Sequence, residues 1–188
     1  EVIQIGVPIT AIFTRRYLCM NESTGLATYE DAGNTFFYVG NPNPKTLLGL
    51  STTLRYKKLS LIANMNGAFG HDIYNNTNNA VISVGLINGG RNIGLSLFKE
   101  PTKESIANPV TPSSRFLEKG DYLKMTNATL SYASVYVTGQ NLFVISKYTG
   151  FDPEVNVNKA INGVPSVGID YAAYPPARTL MFGINFSL

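Results

Sequence analysis

The sequence predicts an all-β fold of antiparallel strands, and three observations support this prediction. Apolar and polar residues alternate with a period of two, which places one set of side chains on each face of a strand. The alternating runs are about ten residues long, as in strands that cross a bilayer at a tilt, whereas strands of soluble domains have about 5–6 residues. Charged residues make up only 14% of the 188 residues, against about 25% in soluble domains. These features favour a transmembrane β-barrel, with a soluble β-sandwich as the alternative.

The first half of the chain contains the clearest hairpin. Residues 3–17 and 36–39 are strand candidates. Residues 48–56 then alternate between a set of leucine and tyrosine side chains, interrupted by Thr52, and a set of small or polar side chains. The same alternation returns over residues 59–70. Lys57 and Lys58 separate the two runs and predict a tight turn between two long strands.

The middle of the chain is richer in Asn, Gly and Pro. Residues 75–79, 99–114 and 152–176 have the composition of long loops. Residues 81–98 are compatible with a short helix or a further strand, and their four glycines weaken both interpretations.

The last strand candidates are residues 121–132, 134–146 and 179–188. The final run is the most regular, because every second residue from Leu180 onward is large and apolar. This apolar set consists of Leu180, Phe182, Ile184, Phe186 and Leu188.

Several classes of protein are excluded by composition. No run of about 20 apolar residues is present for a transmembrane helix, and a single cysteine, Cys19, gives no disulfide framework. A net charge of +3 on scattered basic residues gives no reason to expect a nucleic-acid partner. One histidine without neighbouring ligands gives no catalytic, metal or cofactor site. We therefore expect a protein that is not an enzyme.

Particular phrases along the chain resemble one family. Residues 113–124 read SSRFLEKGDYLK and lead into NATLSY at 127–132; VYVTGQNLF follows at 135–143, KYTGFDPEV at 147–155 and YPPART at 174–179. GNPNPK at 40–45, YED at 29–31 and VPI at 7–9 continue the likeness upstream. In this order and wording the chain resembles the C-terminal part of SusC/RagA-type TonB-dependent outer-membrane transporters of Bacteroidetes.

The resemblance implies an outer-membrane protein that imports a glycan or peptide. Such transporters have an N-terminal plug inside a barrel of about 22 strands, a SusD-like surface lipoprotein as a lid, and a TonB complex that supplies energy. Nothing in residues 1–188 matches the plug or the segment that contacts TonB, and this length allows about eight strands with long loops. We therefore expect the whole chain to be a C-terminal segment of the barrel.

The sequence departs from the family pattern at Ala133. In the family, a connecting segment separates the strand like NATLSY from the strand like VYVTGQN, whereas here the strand candidates end at Tyr132 and begin at Ser134. Antiparallel neighbours need a loop of at least two residues. We therefore expect that these two strands cannot pair without shortening one of them, and that residues are missing from the sequence near 133–134. The alternatives are a real deletion or one long bent strand.

Two sets of site residues follow from the barrel interpretation. The C-terminal set (Leu180, Phe182, Ile184, Phe186 and Leu188) resembles the signal strand that the barrel assembly machinery recognises by pairing with its edge. Side chains of the lumen or loops are candidates for contact with cargo, the alternative being that they have only structural or solvated roles. These candidates are Gln140, Asn141, Tyr148, Asp152, Glu154 and Asp170.

Overall fold

The computed structural model describes residues 5–8, 10–94, 104–155 and 167–186. Contacts divide the chain into two compact units. The first, here called the loop unit, comprises residues 1–43, 72–118 and 154–173; the second, here called the sheet unit, comprises residues 44–71, 119–153 and 174–188.

Strands are the main regular secondary structure of the described residues, which confirms the all-β class. Within the described residues they are, in chain order, β1 (Ile12–Thr14), β2 (Tyr17–Met20), β3 (Ala27–Tyr29), β4 (Phe37–Gly40), β5 (Thr46–Tyr56), β6 (Leu59–Phe69), β7 (Asp72–Asn75), β8 (Leu117–Lys119), β9 (Tyr122–Tyr132), β10 (Val135–Ser146), β11 (Ile169–Asp170) and β12 (Thr179–Ile184). One α-helix, α1 (Asn76–Val81), and 3-10 helices at Glu30–Gly33, Val84–Gly89 and Ser114–Phe116 are also present. None of the helices in the described part of the chain has the length and apolar composition needed to cross a membrane.

The sheet unit is a single open sheet of five antiparallel strands in the order β12-β10-β9-β6-β5. β5 and β6 pair along their whole length from Thr46↔Phe69 to Tyr56↔Leu59, which confirms the predicted hairpin and its Lys57-Lys58 turn. Lys57 has φ 53°, a left-handed value that a short hairpin turn requires.

The strands on either side of Ala133 pair because the second strand is one residue shorter than predicted, and the expectation that residues are missing near 133–134 stays a prediction. Tyr132 and Val135 are directly paired, so Ala133 and Ser134 form a two-residue turn between β9 and β10. The strand begins one residue later than predicted, and Ala133 adopts φ 51°. That backbone conformation is uncommon for a residue with a Cβ atom, and it lets the chain reverse direction within two residues.

Other predicted elements differ from the structure because the loop unit folds through distant contacts. The predicted strand over 3–17 is two short strands within its described residues, and residues 1–4 and 9 lie outside them. The predicted loop at 75–79 contains the start of α1, where the Asn75 side chain accepts a hydrogen bond from the Asn78 backbone and caps the helix. Residues 81–98 contain a 3-10 helix, with 95–98 outside the described residues.

The number of long strands is also smaller than the eight expected. Within the described residues, four strands have 11 or 12 residues, β12 has six, and the remaining strands have four or fewer. The difference arises because most of residues 5–43 and 72–118 build the loop unit instead of crossing strands.

The loop unit has a small core of its own. Ile12, Tyr74 and Phe116 are buried together, with Val39, Ile82, Leu117 and Ile169 packed against them. A parallel pairing of β11 with β7 and hydrogen bonds such as Thr14 Oγ1 to the Pro112 carbonyl (3.1 Å) join segments that are far apart in sequence.

Candidate functional site

One face of the five-stranded sheet is apolar from edge to edge. The strand register aligns its side chains in rows that cross all five strands: one row runs Tyr56, Leu59, Tyr132, Val135 and Ile184, and the next runs Leu54, Leu61, Leu130, Val137 and Phe182. Leu54 is 60% exposed, Leu130 49% and Phe182 78%. We call this surface the apolar face. Soluble proteins seldom leave so many neighbouring large apolar side chains uncovered.

The opposite surface of the same strands, here called the polar face, carries amides and hydroxyls. One of its rows, Ser51, Asn64, Asn127, Gln140 and Thr179, is polar throughout. Side chains of neighbouring strands are linked across this face: Asn64 Nδ2 donates to Asn127 Oδ1 at 2.6 Å, and the hydroxyls of Thr129 and Thr138 lie 2.9 Å apart. Such pairs stabilise neighbouring strands while keeping the surface hydrophilic.

A β-bulge in β9 keeps both faces consistent. Asn127 pairs with Asn64 but Met125 pairs with Met65, so Thr126 is an extra residue in β9. Because of this residue, the apolar positions change from even numbers (Ala128, Leu130, Tyr132) to odd numbers (Leu123, Met125). The bulge thereby places Lys124 on the polar face.

The structure locates most of the predicted C-terminal set. Leu180, Phe182 and Ile184 lie on the apolar face, in register with Gly139, Val137 and Val135. Phe186 is 84% exposed but follows the end of β12, and Leu188 lies outside the described residues. Recognition of this strand by the assembly machinery stays a prediction.

Four of the six candidate cargo contacts belong to the sheet unit. Gln140 is exposed on the polar face, and Asn141 Nδ2 donates to the Ala177 carbonyl at 3.0 Å. Tyr148 is buried, and its backbone N–H donates to Ser146 Oγ at 3.1 Å. Asp152 forms an ion pair with Lys124, with Oδ2 and Nζ 3.4 Å apart.

The other two candidates belong to the loop unit. Glu154 is exposed. Asp170 is buried, and its Oδ1 accepts hydrogen bonds from the Thr77 hydroxyl (2.9 Å) and from the Ala173 backbone (3.4 Å). These contacts give Asp170 a structural role, so it is the least suited of the six to bind a ligand.

A recess of about 390 Å³ in the sheet unit brings two of the candidates together with residues that sequence reasoning missed. It is lined by Asn141 and Asp152, and also by Lys124, Val144, Phe151 and Arg178. Nothing in the sequence indicated the contribution of Lys124, because its placement depends on the bulge at Thr126. In the described part of the chain, no group of three or more His, Cys, Asp or Glu side chains is arranged to hold a metal ion.

An antiparallel sheet with one exposed apolar face and one hydrophilic face has the organisation of outer-membrane β-proteins. Comparison with curated proteins gives TonB-dependent receptors as relatives. The chain is 28% identical to the TonB-dependent receptor SusC of Bacteroides thetaiotaomicron over 82% of its length. It is 27% and 26% identical to the TonB-dependent receptors P3 and P26 of Formosa agariphila over 78% and 86% of its length.

Comparison with solved structures shows that the fold of this chain is similar to part of the RagAB transporter. The structure of the RagAB peptide transporter matches 92% of this chain and 22% of that chain with a TM-score of 0.66 at 18% identity. The RagAB peptide importer in its closed-closed state matches with a TM-score of 0.65 at the same identity.

These comparisons confirm the resemblance to SusC/RagA-type TonB-dependent transporters and the outer-membrane location that follows from it. No protein-family model matches the chain. The chain spans only 16%, 17% and 18% of the length of the three curated relatives. The relatives are named as receptors or transporters, which agrees with the expectation that the chain is not an enzyme.

Proposed function

We propose that the chain is a C-terminal wall segment of a TonB-dependent outer-membrane β-barrel that imports a glycan or a peptide. The observation that carries the proposal is the apolar face, which is continuous over five strands and exposed. In a barrel this face contacts lipid, and the polar face lines the interior. The similarity to TonB-dependent receptors supports transport as the activity.

The strand connections support an orientation. β5–β6 and β9–β10 are joined by two-residue turns at the same end of the sheet, whereas residues 70–121 connect the other ends of β6 and β9. Outer-membrane barrels have short turns on the periplasmic side and long loops on the extracellular side. Lys57, Lys58, Ala133 and Ser134 therefore lie in the periplasm.

The proposed partners follow from the transporter role. A SusD-like lipoprotein covers the extracellular opening, a TonB complex acts through a part of the protein outside residues 1–188, and the barrel assembly machinery inserts the wall through the β12 edge. Glycan and peptide remain alternative cargoes. Among the similar proteins, the RagAB structures are described as a peptide transporter and a peptide importer, whereas the name of the receptor SusC states no cargo.

Site-specific labelling of the full-length protein tests the lipid contact. In a Cys19→Ser background, single cysteines replace Leu54, Leu130 or Phe182 on the apolar face, with Lys57→Cys in the turn as the accessible control. We expect a membrane-impermeant maleimide to label the control in opened outer-membrane vesicles and the three test positions only after urea denaturation. Labelling of the test positions in native vesicles would show that the apolar face does not contact lipid.

Uptake measurements test the transport role. A strain without the full-length gene, and a strain without TonB, should both fail to import a labelled oligosaccharide or peptide that the parent strain takes up. Two other classes remain as alternatives: a small self-contained outer-membrane barrel that acts as an adhesin or structural protein, and a soluble carbohydrate-binding β-sandwich. Membrane localisation with unchanged uptake favours the first, and recovery in the soluble fraction without detergent favours the second.

A further inference from the structure

The charged side chains that line the recess in the sheet unit do not cancel one another. Three charged side chains line it: Lys124, Asp152 and Arg178. Lys124 is only 3% exposed, and its ammonium group is paired with the Asp152 carboxylate. Arg178 is exposed and forms no hydrogen bond or ion pair within the described residues. The recess therefore carries one positive charge that the protein does not neutralise.

The position of Arg178 is set by the backbone around it. β12 pairs with β10 only as far as Thr179↔Gln140, so the segment before Thr179 runs beside β10 without ladder pairing. A side-chain hydrogen bond connects the two segments where ladder pairing is absent, since Asn141 donates to the Ala177 carbonyl at 3.0 Å. Asn141 is thus a positioning residue that keeps Arg178 at the rim of the recess.

The remaining lining is apolar and aromatic. Val144 extends from β10, and Phe151 lies next to Asp152 and is 74% exposed. A volume of about 390 Å³ suits one sugar ring or one amino-acid residue. An aromatic ring beside a guanidinium group suits a ligand unit with an apolar surface and an anionic group.

We propose that this recess binds a carboxylate-bearing unit of the cargo, with Arg178 as the direct partner of the carboxylate and Phe151 against the body of the unit. The inference rests on the proposed transport function and adds a preference for acidic cargo. A guanidinium group can hold a carboxylate through two parallel hydrogen bonds. A cationic unit would be repelled by Arg178, and a neutral unit would gain nothing from its charge. The carboxylate can come from a uronic-acid sugar or from an acidic peptide residue.

Binding to the purified full-length transporter in detergent tests the proposal by calorimetry. The probes are an oligogalacturonate and its fully methyl-esterified form, and a short glutamate-containing peptide and its glutamine counterpart. Each pair differs in the carboxylate and retains the same backbone. We expect one acidic probe to bind at least about tenfold more tightly than its neutral partner.

Two substitutions should act in opposite directions. Arg178→Gln should remove the preference for the acidic probe, and Asp152→Asn should increase it because one negative charge is removed from the lining of the recess. Arg55→Gln is the matched control, since Arg55 is an exposed cation on the polar face of β5 that does not line the recess. This control should leave both affinities unchanged. Heat-modifiable migration on gels shows whether each variant is a folded barrel.

The outcomes separate this inference from the proposed function. Equal binding of acidic and neutral probes, no binding of either acidic probe, or an unchanged preference in folded Arg178→Gln protein would overturn the carboxylate site. In each of those cases TonB-dependent uptake and membrane labelling still report on the transporter role independently.

Discussion

In the proposed barrel, side chains on the apolar face lie at different depths in the bilayer, because the strand register places them at different distances from the short turns. Ile184 shares a row with Tyr56 and Tyr132 next to the short turns, whereas Phe182 and Leu180 lie in the next two rows away from the turns. The four residue steps from Ile184 to Leu180 correspond to about 10 Å of depth for a strand tilted by about 40°. In the barrel interpretation, Ile184 is interfacial and Leu180 is closest to the middle of the bilayer.

Lysine substitutions along β12 should follow this order. We expect Leu180→Lys and Phe182→Lys to destabilise the inserted protein by about 2–4 kcal/mol and Ile184→Lys by about 0–1 kcal/mol, because the cost of a charge rises toward the midplane. The amount of folded full-length protein in the outer membrane measures the effect. Met181→Lys is the control on the polar face of the same strand and should be tolerated. Equal losses for all four variants would contradict the assigned faces.

A buried tyrosine makes the loop unit sensitive to alkali. Burial raises the pKa of Tyr74 to about 12, from 10.0 in an unperturbed tyrosine. The fold therefore favours the neutral phenol, and this stabilisation is complete below pH 10 and is lost as the pH rises through about 12. This change in the pKa of Tyr74 corresponds to about 2–3 kcal/mol in the free energy of unfolding. We expect calorimetry of the full-length protein to show a smaller fall in unfolding temperature between pH 10 and 12 for Tyr74→Phe than for the unsubstituted protein. Parallel pH curves would disprove the linkage.

A buried ion pair joins separate segments and secondary-structure elements of the loop unit. The Glu104 side chain is 2% exposed; its Oε2 lies 2.9 Å from Arg115 Nη2, and its Oε1 accepts from Asn108 Nδ2 at 2.6 Å. Asn108 Oδ1 in turn accepts from the Ala27 backbone at 2.9 Å, which ties β3 to the same cluster. Removing one member of a buried pair leaves the other charge unpaired.

Neutralising Glu104 should therefore loosen this cluster. We expect Glu104→Gln to cost about 3–5 kcal/mol and to raise hydrogen exchange in residues 104–118 by about a hundredfold or more. Glu30→Gln is the control, because the Arg16–Glu30 pair has the same type of contact at 2.8 Å but is 46% and 38% exposed. That change should cost less than about 1 kcal/mol. Similar exchange in the two variants would show that the Glu104 pair does not hold the segment.

Local alternation was enough to predict the long strands but not the loop unit. Residues 48–56 and 59–70 were placed within two residues of β5 and β6, because each strand shows its environment in its own sequence. The core residues Ile12, Tyr74 and Phe116 come from three distant segments, and no local pattern brings them together. The sequence predicts only part of the lining of the recess. Asn141 and Asp152 are among the predicted cargo contacts, whereas the roles of Lys124 and Arg178 depend on the bulge in β9 and on the point where β12 stops pairing with β10.

The two edges of the five-stranded sheet determine whether the wall can continue into a closed barrel. β5 and β12 each have a pairing partner on one side only within the described residues. Unpaired backbone groups are not tolerated in a bilayer, so the proposed barrel requires further strands against both edges.

Hydrogen exchange of the full-length protein in lipid nanodiscs tests this requirement. We expect the outward-facing amides of β5 and β12 to exchange as slowly as those of the central strands β6 and β9. The amides of Lys58 and Ser134 in the turns serve as the rapidly exchanging reference. Rapid exchange along either edge would mean that the sheet ends there and does not continue into a closed wall.

The extra residue Thr126 also bears on how such a strand can change by mutation. Deleting Thr126 would remove the bulge and leave simple alternation in β9, with Leu123, Met125 and Leu130 still on one face and Lys124 on the other. Deleting a regularly paired residue such as Thr129 would instead reverse the faces of all residues on one side of the deletion relative to the other. Such a deletion has the effect of several simultaneous polar-to-apolar exchanges, so β9 can lose a residue at the bulge far more easily than within its regular stretches.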